Sequence, residues 1–267
     1  MPTPRYTHGH AESVLQSHRW RTAANSAAYL LPFLARGRSL LDVGSGPGTI
    51  TADLAELVAP GRVTALEATR DAVEVTRQGV DDRWVDNVDC VVGDVHGLDF
   101  DDDTFDVVHA HQVLQHVADP VTALAEMRRV CRPGGIVAAR DSDYSAFTWY
   151  PEIPELDEWM TLYQRVARTN GGEPNAGRHL VAWAHASGFG DVTASAGAWC
   201  FANPGRARFW GAMWAERILH SAIATQIVDE GFGTTDDLER ISAGWTRWAA
   251  HPDASFVTTL GEIICRP

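Results

Sequence analysis

The stretch LLDVGSGPGTI, residues 40 to 50, decides the fold. A short apolar run ends at Asp42 and Val43, and three glycines then alternate with other residues before Thr49 opens a helical pattern. Glycines in such a turn let the backbone approach a ligand closely and expose the amides of a helix N-terminus. The spacing GxGxG differs from the GxGxxG dinucleotide fingerprint, and no Lys-Ser or Lys-Thr pair follows the last glycine. We therefore do not expect this turn to hold a phosphate.

Outward from this turn, short apolar runs alternate with helical patterns, which is typical of a parallel sheet with helices on both faces. Strands are predicted at 39–43, 62–67, 89–93, 105–110 and 135–140, and helices at 48–57, 70–79 and 121–131. Farther along, the patterns predict helices at 156–169 and 178–187, a strand at 191–201, helical structure over 203–251 and a last strand at 255–265. The predicted fold class is α/β, with a doubly wound, Rossmann-like sheet.

The composition narrows the class of partner. The 267 residues include 22 Lys and Arg against 35 Asp and Glu, a formal net charge of −13, and 45% of them are hydrophobic. So acidic a surface repels polyanions, and we expect no nucleic-acid partner. Apolar runs fall far short of the roughly 20 residues that span a bilayer, so we expect no membrane partner. The start lacks the pattern of a secretory signal, and the four cysteines lack a CxxC pair, which predicts a cytoplasmic protein.

Two further carboxylates close successive strands. Glu67 ends the second strand, nineteen residues after Gly48, where a carboxylate can accept from both hydroxyls of a ribose. Asp94 ends the third strand in VVGDV, where it can accept from the exocyclic amine of an adenine. A sulfonium and an ammonium also prefer acidic surroundings. With a glycine turn for an amino-acid tail, the pattern indicates S-adenosylmethionine rather than a nucleotide.

Over residues 39 to 140 the chain resembles the class I S-adenosylmethionine-dependent methyltransferases, and within them the UbiE-like small-molecule group. The resemblance rests on LLDVGSGPGT, ALEAT, VVGDV, FDVVHAHQVLQHVADP and MRRVCRPGGIV. It implies a seven-stranded sheet in the order 3-2-1-4-5-7-6 with an antiparallel last strand. It also implies S-adenosylmethionine as cofactor and S-adenosylhomocysteine as product. Quinone biosynthesis is not implied, because the 203–251 segment looks longer than in the quinone-pathway enzymes.

The resemblance assigns parts of the cofactor to positions of this sequence. The methionine part falls to Asp42 and the glycine turn, the ribose to Glu67, the adenine to Asp94 with Val95, and the amino-acid end also to His111. The residues expected to bind the cofactor are Asp42, Gly44, Ser45, Gly46, Gly48, Thr49, Glu67, Ala68, Asp94, Val95 and His111.

The acceptor is expected beneath segments outside the βα repeat. We assign residues 37–202 and 252–267 to the Rossmann-like domain, residues 1–36 to an N-terminal cap, and 142–170 and 203–251 to helical insertions that form a lid. Since the family places such segments beside the acceptor, the candidates for a base or a positioning group are Tyr6, His8, His10, His111, Asp141 and Tyr144. Trp210 and Trp214 share a helix face and either pack in the core or line the acceptor pocket.

Metal binding is not expected. Two HxH pairs occur, His8 with His10 and His109 with His111, but no third ligand has suitable spacing. Asp141 and Asp143 follow the fifth strand, where metal-dependent catechol methyltransferases place acidic ligands, yet the downstream Asp-Asn pair of such sites is missing.

The expected function is methyl transfer from S-adenosylmethionine to a small organic metabolite of aromatic or hydrophobic character, by in-line displacement. Two alternatives stay open at this point. An NAD(P)-dependent reductase would explain the glycine turn and Glu67 but not Asp94. A non-methylating, cofactor-binding protein on the same fold would keep every motif.

Overall fold

The computed structural model describes residues 18–267. Three candidate acceptor-site residues, Tyr6, His8 and His10, lie outside the described residues. Between residues 40 and 142 the strands and helices of the described chain follow the order that its apolar pattern predicts.

Eight strands of the described chain form one sheet. In chain order, β1 to β8 are Leu40–Val43, Val63–Glu67, Val88–Val92, Phe105–His111, Cys131–Ser142, Thr148–Tyr150, Asp191–Cys200 and Ser255–Arg266. The strands follow the order β3-β2-β1-β4-β5-β8-β6, and β7 also pairs with β8. The first five strands pair in parallel, whereas β8 is antiparallel to β5, β6 and β7.

The predicted strand order is confirmed, but the predicted count of seven strands is wrong. The antiparallel last strand, β8, pairs with β5 on one side and with β7 on the other, as expected. The additional strand is β6, which pairs with residues 255–257 beyond the last β5 pair, Ser142 with Leu260. A strand of three residues is too short to show alternation in the sequence, so it escaped prediction.

The helices of the described chain are Ala23–Ser26, Thr49–Val58, Arg70–Asp81, Pro120–Val130, Pro154–Thr169, Leu180–Ala186, Pro204–His220, Ala222–Asp229 and Thr235–Ala250. The helix Pro120–Val130 begins with a typical N-cap. Asp119 accepts a hydrogen bond from the backbone N–H of Thr122 at 2.9 Å, and Pro120 takes the first helical position. Residues 203–251, predicted as helical structure, contain three of these helices. None of the helices in the described part of the chain is long and apolar enough to cross a membrane.

The buried apolar side chains form three clusters. Two of them cover the opposite faces of the sheet. The third, which we call the aromatic core, joins the helices of 142–170 and 203–251 to strands β7 and β8. Its buried tryptophans are Trp159, Trp199, Trp210, Trp214, Trp245 and Trp248. Trp210 and Trp214 are only 8% and 1% exposed. Of the two alternatives for this pair, core packing is therefore the observed one.

Candidate functional site

A cavity of about 610 Å³ lies at the carboxyl ends of the parallel strands. Its walls come from the turns after β1, β2, β3 and β4, and from His18 and Arg21, which precede the first described helix. In doubly wound sheets, ligands bind outside the carboxyl ends of the strands where the strand order reverses, which here is between β1 and β4. The cavity therefore occupies the position that this topology favours for a ligand.

The glycine turn after β1 needs its glycines for two reasons. Gly44, Gly46 and Gly48 have φ values of +70°, +57° and +75°, which side chains disfavour. A Cβ atom at Gly44 would also lie 2.5 Å from Cγ2 of Val113. At Gly46, by contrast, the nearest atom to such a Cβ is Nδ1 of His18 at 4.0 Å. The backbone at Gly46 is consequently open to close approach from the cavity.

Asp42, near the end of β1, is held by hydrogen bonds to other buried residues. Its carboxylate accepts from Oγ1 of Thr51 at 2.6 Å and lies 2.8 Å from Nδ1 of His109. Ser45 donates to the backbone oxygen of Asp42 at 2.9 Å, so the turn is tied to the same point. Asp42 is one of the cavity-lining residues, yet its carboxylate oxygens are engaged inside. His109, one member of the second HxH pair, therefore contacts the carboxylate of Asp42.

Glu67 stands at the end of β2 with its carboxylate against the glycine turn. Oε1 accepts from the backbone N–H of Gly46 at 2.5 Å. Burial raises the pKa of Glu67, and the nearby charge of Asp42 raises it further. Glu67 and Ala68 both line the cavity, at the position expected for a ribose contact.

Asp94 lies at the rim of the cavity, where its side chain is 73% exposed. Oδ1 accepts from the backbone N–H of His96 at 2.9 Å and lies 2.6 Å from Nδ1 of the same residue. The backbone hydrogen bond from His96 lowers the pKa of Asp94. Val95 is buried and lines the cavity beside it. Asp94 is therefore an ionised hydrogen-bond acceptor at the position expected for the adenine. One of its oxygens also contacts His96, which the sequence analysis did not single out.

His111, the last residue of β4, is buried at the cavity wall. Within the described residues neither of its ring nitrogens has a hydrogen-bond partner. Burial lowers the pKa of His111 well below its ordinary value, and the charges of Arg21 and Arg140 add to this effect. The imidazole is thus neutral at pH 7, with one donor and one acceptor nitrogen unpaired.

Besides His96, sequence reasoning did not identify His18, Arg21 and Gln112, which also line the cavity. His116, for which the sequence leaves a structural role and an acceptor contact equally open, lines it as well. Gln112 has a φ of +57°, which is uncommon for a residue with a side chain and marks a constrained turn after β4. It accepts from Nη2 of Arg21 at 2.8 Å and donates to Oγ of Ser142 at 3.0 Å. No spacing in the sequence indicates that residue 21 would meet a turn 91 positions later.

The structure does not bring Tyr144 to the cavity. Its ring stacks on Tyr163 with 4.0 Å between the centroids, inside the aromatic core. Burial raises the pKa of Tyr144, so the phenolate, which is the form that could take a proton from an acceptor, is scarcely populated at pH 7. Among the described residues, none that lines the cavity comes from 142–170 or 203–251. The lid assigned to those segments remains a prediction without support from the cavity lining.

The two acidic residues expected as possible metal ligands, Asp141 and Asp143, each contact another group of the protein. Asp143 forms a bidentate pair with Arg178, with both N–O distances at 2.6 Å. Asp141 accepts from the backbone N–H of Gln115 at 3.1 Å, and burial raises the pKa of Asp141 to about 8. The described part of the chain contains no group of three or more metal-ligating side chains. Independence from metal stays a prediction.

The chain is similar to methyltransferases along most of its length. Residues 41–139 match the family model described as a methyltransferase domain. An uncharacterized methyltransferase of Schizosaccharomyces pombe is 32% identical over 270 residues, covering 97% of this chain and 95% of that protein. A demethylmenaquinone methyltransferase of Staphylococcus epidermidis is 35% identical over 129 residues, covering 48% of this chain and 50% of that protein. The structure of phosphoethanolamine N-methyltransferase 2 from Haemonchus contortus, in complex with S-adenosylhomocysteine, matches 90% of this chain and 51% of that one with a TM-score of 0.57 at 17% identity.

Proposed function

The chain belongs to the S-adenosylmethionine-dependent methyltransferases, and from this premise we propose that it methylates a small organic metabolite of aromatic or hydrophobic character. When bound, S-adenosylmethionine supplies an electrophilic methyl group. The residues of the chain have to bind the cofactor and the acceptor, align them for in-line displacement and keep water out.

The cavity wall fits this cofactor, and we propose the following division of its residues. Glu67 holds the ribose, because its carboxylate lines the cavity at the end of β2. Asp94 and Val95 hold the adenine. The open backbone at Gly46 receives the methionine part. Asp42 supports that turn from behind and need not touch the cofactor through its carboxylate.

The wall contributed by the turn after β4 is the observation that carries the acceptor proposal. Val113 and Val117 supply apolar surface there, and Gln112 and His116 supply polar groups. Small-molecule sites combine mostly apolar walls with a few polar groups, in volumes of roughly 300–1,000 Å³. The formal charge of −13 disfavours a polyanionic acceptor.

We propose His111 as the acceptor-positioning group. Among the described candidates for that role, it is the one that lines the cavity. Its neutral imidazole can accept a hydrogen bond from an acceptor hydroxyl or amine at pH 7. Tyr6 and His8 stay predictions, since they lie outside the described residues.

A turnover assay tests the proposal. The protein is incubated with S-adenosylmethionine and a panel of aromatic, aliphatic and strongly polar small molecules, and S-adenosylhomocysteine is measured. We expect product only with aromatic or hydrophobic members, and much less product with Glu67→Ala. Binding of S-adenosylhomocysteine without turnover on any acceptor would favour the non-methylating alternative. The reductase alternative is not favoured, and only measurable binding of NADH to the protein would support it.

We also propose a cytoplasmic location. Cys90, Cys131, Cys200 and Cys265 are all free. Burial raises the pKa of Cys131 and of Cys265 to about 12, so these two behave as inert buried thiols. Free thiols of this kind are typical of a reducing compartment. Fractionation of the source cells would test this assignment.

A further inference from the structure

Strand β7, Asp191–Cys200, forms one lateral edge of the sheet. It pairs with β8 through ten consecutive residues, from Asp191 with Arg266 to Cys200 with Val257, without a register shift. In the described part of the chain, no strand pairs with the other side of β7. Seven of its ten residues are exposed. A long, regular strand therefore has one side, which we call the open side, available for contact.

The backbone groups of alternate residues point to this open side. Phe201, directly after β7, exchanges two backbone hydrogen bonds with Phe256, at 2.8 and 3.3 Å. In an antiparallel pair such bonded positions recur at every second residue, and the residues between them turn their N–H and C=O groups the other way. On β7 these outward residues include Ala194, Ala196 and Ala198. Among residues 18–267, they have no hydrogen bond outside the sheet.

The other two edges of the sheet have features that discourage pairing with a further strand. Strand β3 has five residues and carries Asp89, which accepts from Arg62 at 2.8 and 2.6 Å, and β6 has only three residues. Edge strands are commonly protected by short length, charges, prolines or bulges. The centre of β7, TASAGA at 193–198, contains no charge and no proline and is not bulged. Among the described strands, β7 is thus the edge best suited to pair with another strand.

The charges around β7 favour a second copy of the same chain as that partner. Residues 192–205 contain no charged side chain, although the formal charge of the chain is −13. Two copies can therefore approach along this stretch without bringing many like charges together. One end of the stretch is Asp191, which is 59% exposed beside Arg266. At the other end, Nη1 of Arg206 donates to the backbone oxygen of Cys200 at 3.3 Å.

These two ends determine the direction in which two copies fit. Antiparallel pairing brings the Asp191 end of one strand beside the Arg206 end of the other, and a two-fold axis repeats this contact. Parallel pairing would place like charges side by side. We propose that the chain forms a homodimer in which the two β7 strands pair antiparallel about a two-fold axis. The dimer joins two eight-stranded sheets into one of sixteen strands.

Sedimentation equilibrium of the full chain tests the proposal. We expect a dimer with a dissociation constant on the order of micromolar. Ala196→Pro removes an N–H from the open side without taking a hydrogen bond from β8. Ala196→Glu places like charges close together across the axis. Each substitution should weaken dimerisation by about tenfold or more.

Two measurements control for indirect effects. Thr148→Glu adds the same charge to an exposed residue of the β6 edge and should leave dimerisation unchanged. No residue of β7 lines the cavity within the described chain, so all three variants should bind S-adenosylhomocysteine as the parent does. Thermal unfolding shows whether each variant is folded, and if Ala196→Pro is not, Ala196→Glu carries the comparison.

Crosslinking tests the direction of pairing. Antiparallel pairing centred on residue 195 or 196 brings the two copies of residue 196 within about 8 Å of each other. Ala196→Cys in a Cys200→Ser chain should therefore give covalent dimers with a short bis-maleimide, whereas Cys200→Ser alone should not.

Three results would overturn the proposal. A parent chain that stays monomeric at about 100 times the expected dissociation constant would leave this edge to a strand of another protein or to none. A dimer that Ala196→Glu does not weaken, or that Thr148→Glu weakens equally, would place the interface elsewhere. Absence of the crosslink in a dimeric Ala196→Cys chain would exclude the antiparallel arrangement. None of these readouts requires turnover or an acceptor, so they stand apart from the proposed function.

Discussion

The cavity wall and the aromatic core are neighbouring regions built in opposite ways. The cavity wall concentrates left-handed backbone, at three glycines and at Gln112, together with ionisable side chains whose pKa values are shifted. The aromatic core consists of large apolar rings on regular helices and on strands β7 and β8, and one of these helices begins with a capping box at Thr234 and Asp237. None of the described residues of the aromatic core lines the cavity.

This difference separates binding from stability. Strained backbone and buried polar groups reduce stability and persist where a ligand needs them. Buried rings contribute apolar burial wherever they pack. We therefore expect substitutions in the aromatic core to change the free energy of unfolding, and substitutions in the cavity wall to change the affinity for S-adenosylhomocysteine.

Trp245→Ala should have the largest effect, and on stability. Trp245 is fully buried and contacts Trp159, Trp214 and Phe256. Removing a buried ring of this size lowers the free energy of unfolding by about 3–5 kcal/mol, as denaturant titration would measure. The folded protein should keep its affinity for S-adenosylhomocysteine.

Trp84→Ala is the matched control, because Trp84 is 93% exposed. It should change the free energy of unfolding by less than about 0.5 kcal/mol. The separation of the two regions fails if Trp245→Ala weakens ligand binding while leaving stability unchanged.

Glu67→Ala should act on binding instead. Loss of a carboxylate that accepts from the ribose hydroxyls predicts a loss of about 1.5–3 kcal/mol in binding S-adenosylhomocysteine by calorimetry. Glu74→Ala, on an exposed helix face, is the control and should bind like the parent. Parent-like affinity of Glu67→Ala would show that the ribose is held elsewhere.

Asp141 predicts a pH dependence of stability. Its folded pKa of about 8 exceeds its ordinary value of 3.8, so the folded state keeps a proton that the unfolded state releases. Its contribution is therefore complete below pH 3.8 and is lost as the pH rises towards 8. His116, with a folded pKa of about 3 against 6.5, has the opposite effect, but only between those values.

The window from pH 6.5 to 8 therefore isolates Asp141. Across it the parent should lose about 1–2 kcal/mol of unfolding free energy, whereas Asp141→Asn should lose much less. Denaturant titrations at the two pH values measure this difference. Equal slopes for parent and variant would show that Asp141 is ionised throughout.

Chelation should have the smallest effect. Since Asp143 is paired with Arg178 and Asp141 with a backbone amide, we expect no change in turnover in excess EDTA. Loss of turnover in EDTA and its recovery with Mg²⁺ would show instead that Asp141 and Asp143 bind a metal ion.

Much of the cavity wall could be predicted from the sequence, because strand ends and glycine turns are local features. Asp42, Glu67 and Asp94 all reach the cavity. What their oxygens contact could not be predicted, since Thr51, His109 and His96 meet them only through tertiary packing and a local turn.

The contribution of the N-terminal segment could not be predicted for the same reason. Arg21 meets Gln112, 91 positions later, only because Arg140 and Trp199 anchor the helix that follows it. Trp210 and Trp214 illustrate a different limit, in which a clear sequence pattern fits two structures. A shared helix face is equally compatible with core and with pocket, and only the packing of three helices against β8 decides between them.

The central claim is that the cavity at the ends of β1 to β4 is an S-adenosylmethionine site. Isothermal titration of the full chain with S-adenosylhomocysteine and, separately, with NADH tests it most directly. The account predicts one S-adenosylhomocysteine per chain with a dissociation constant on the order of micromolar, about −8 kcal/mol, and no measurable heat with NADH. Binding of NADH without binding of S-adenosylhomocysteine would contradict it.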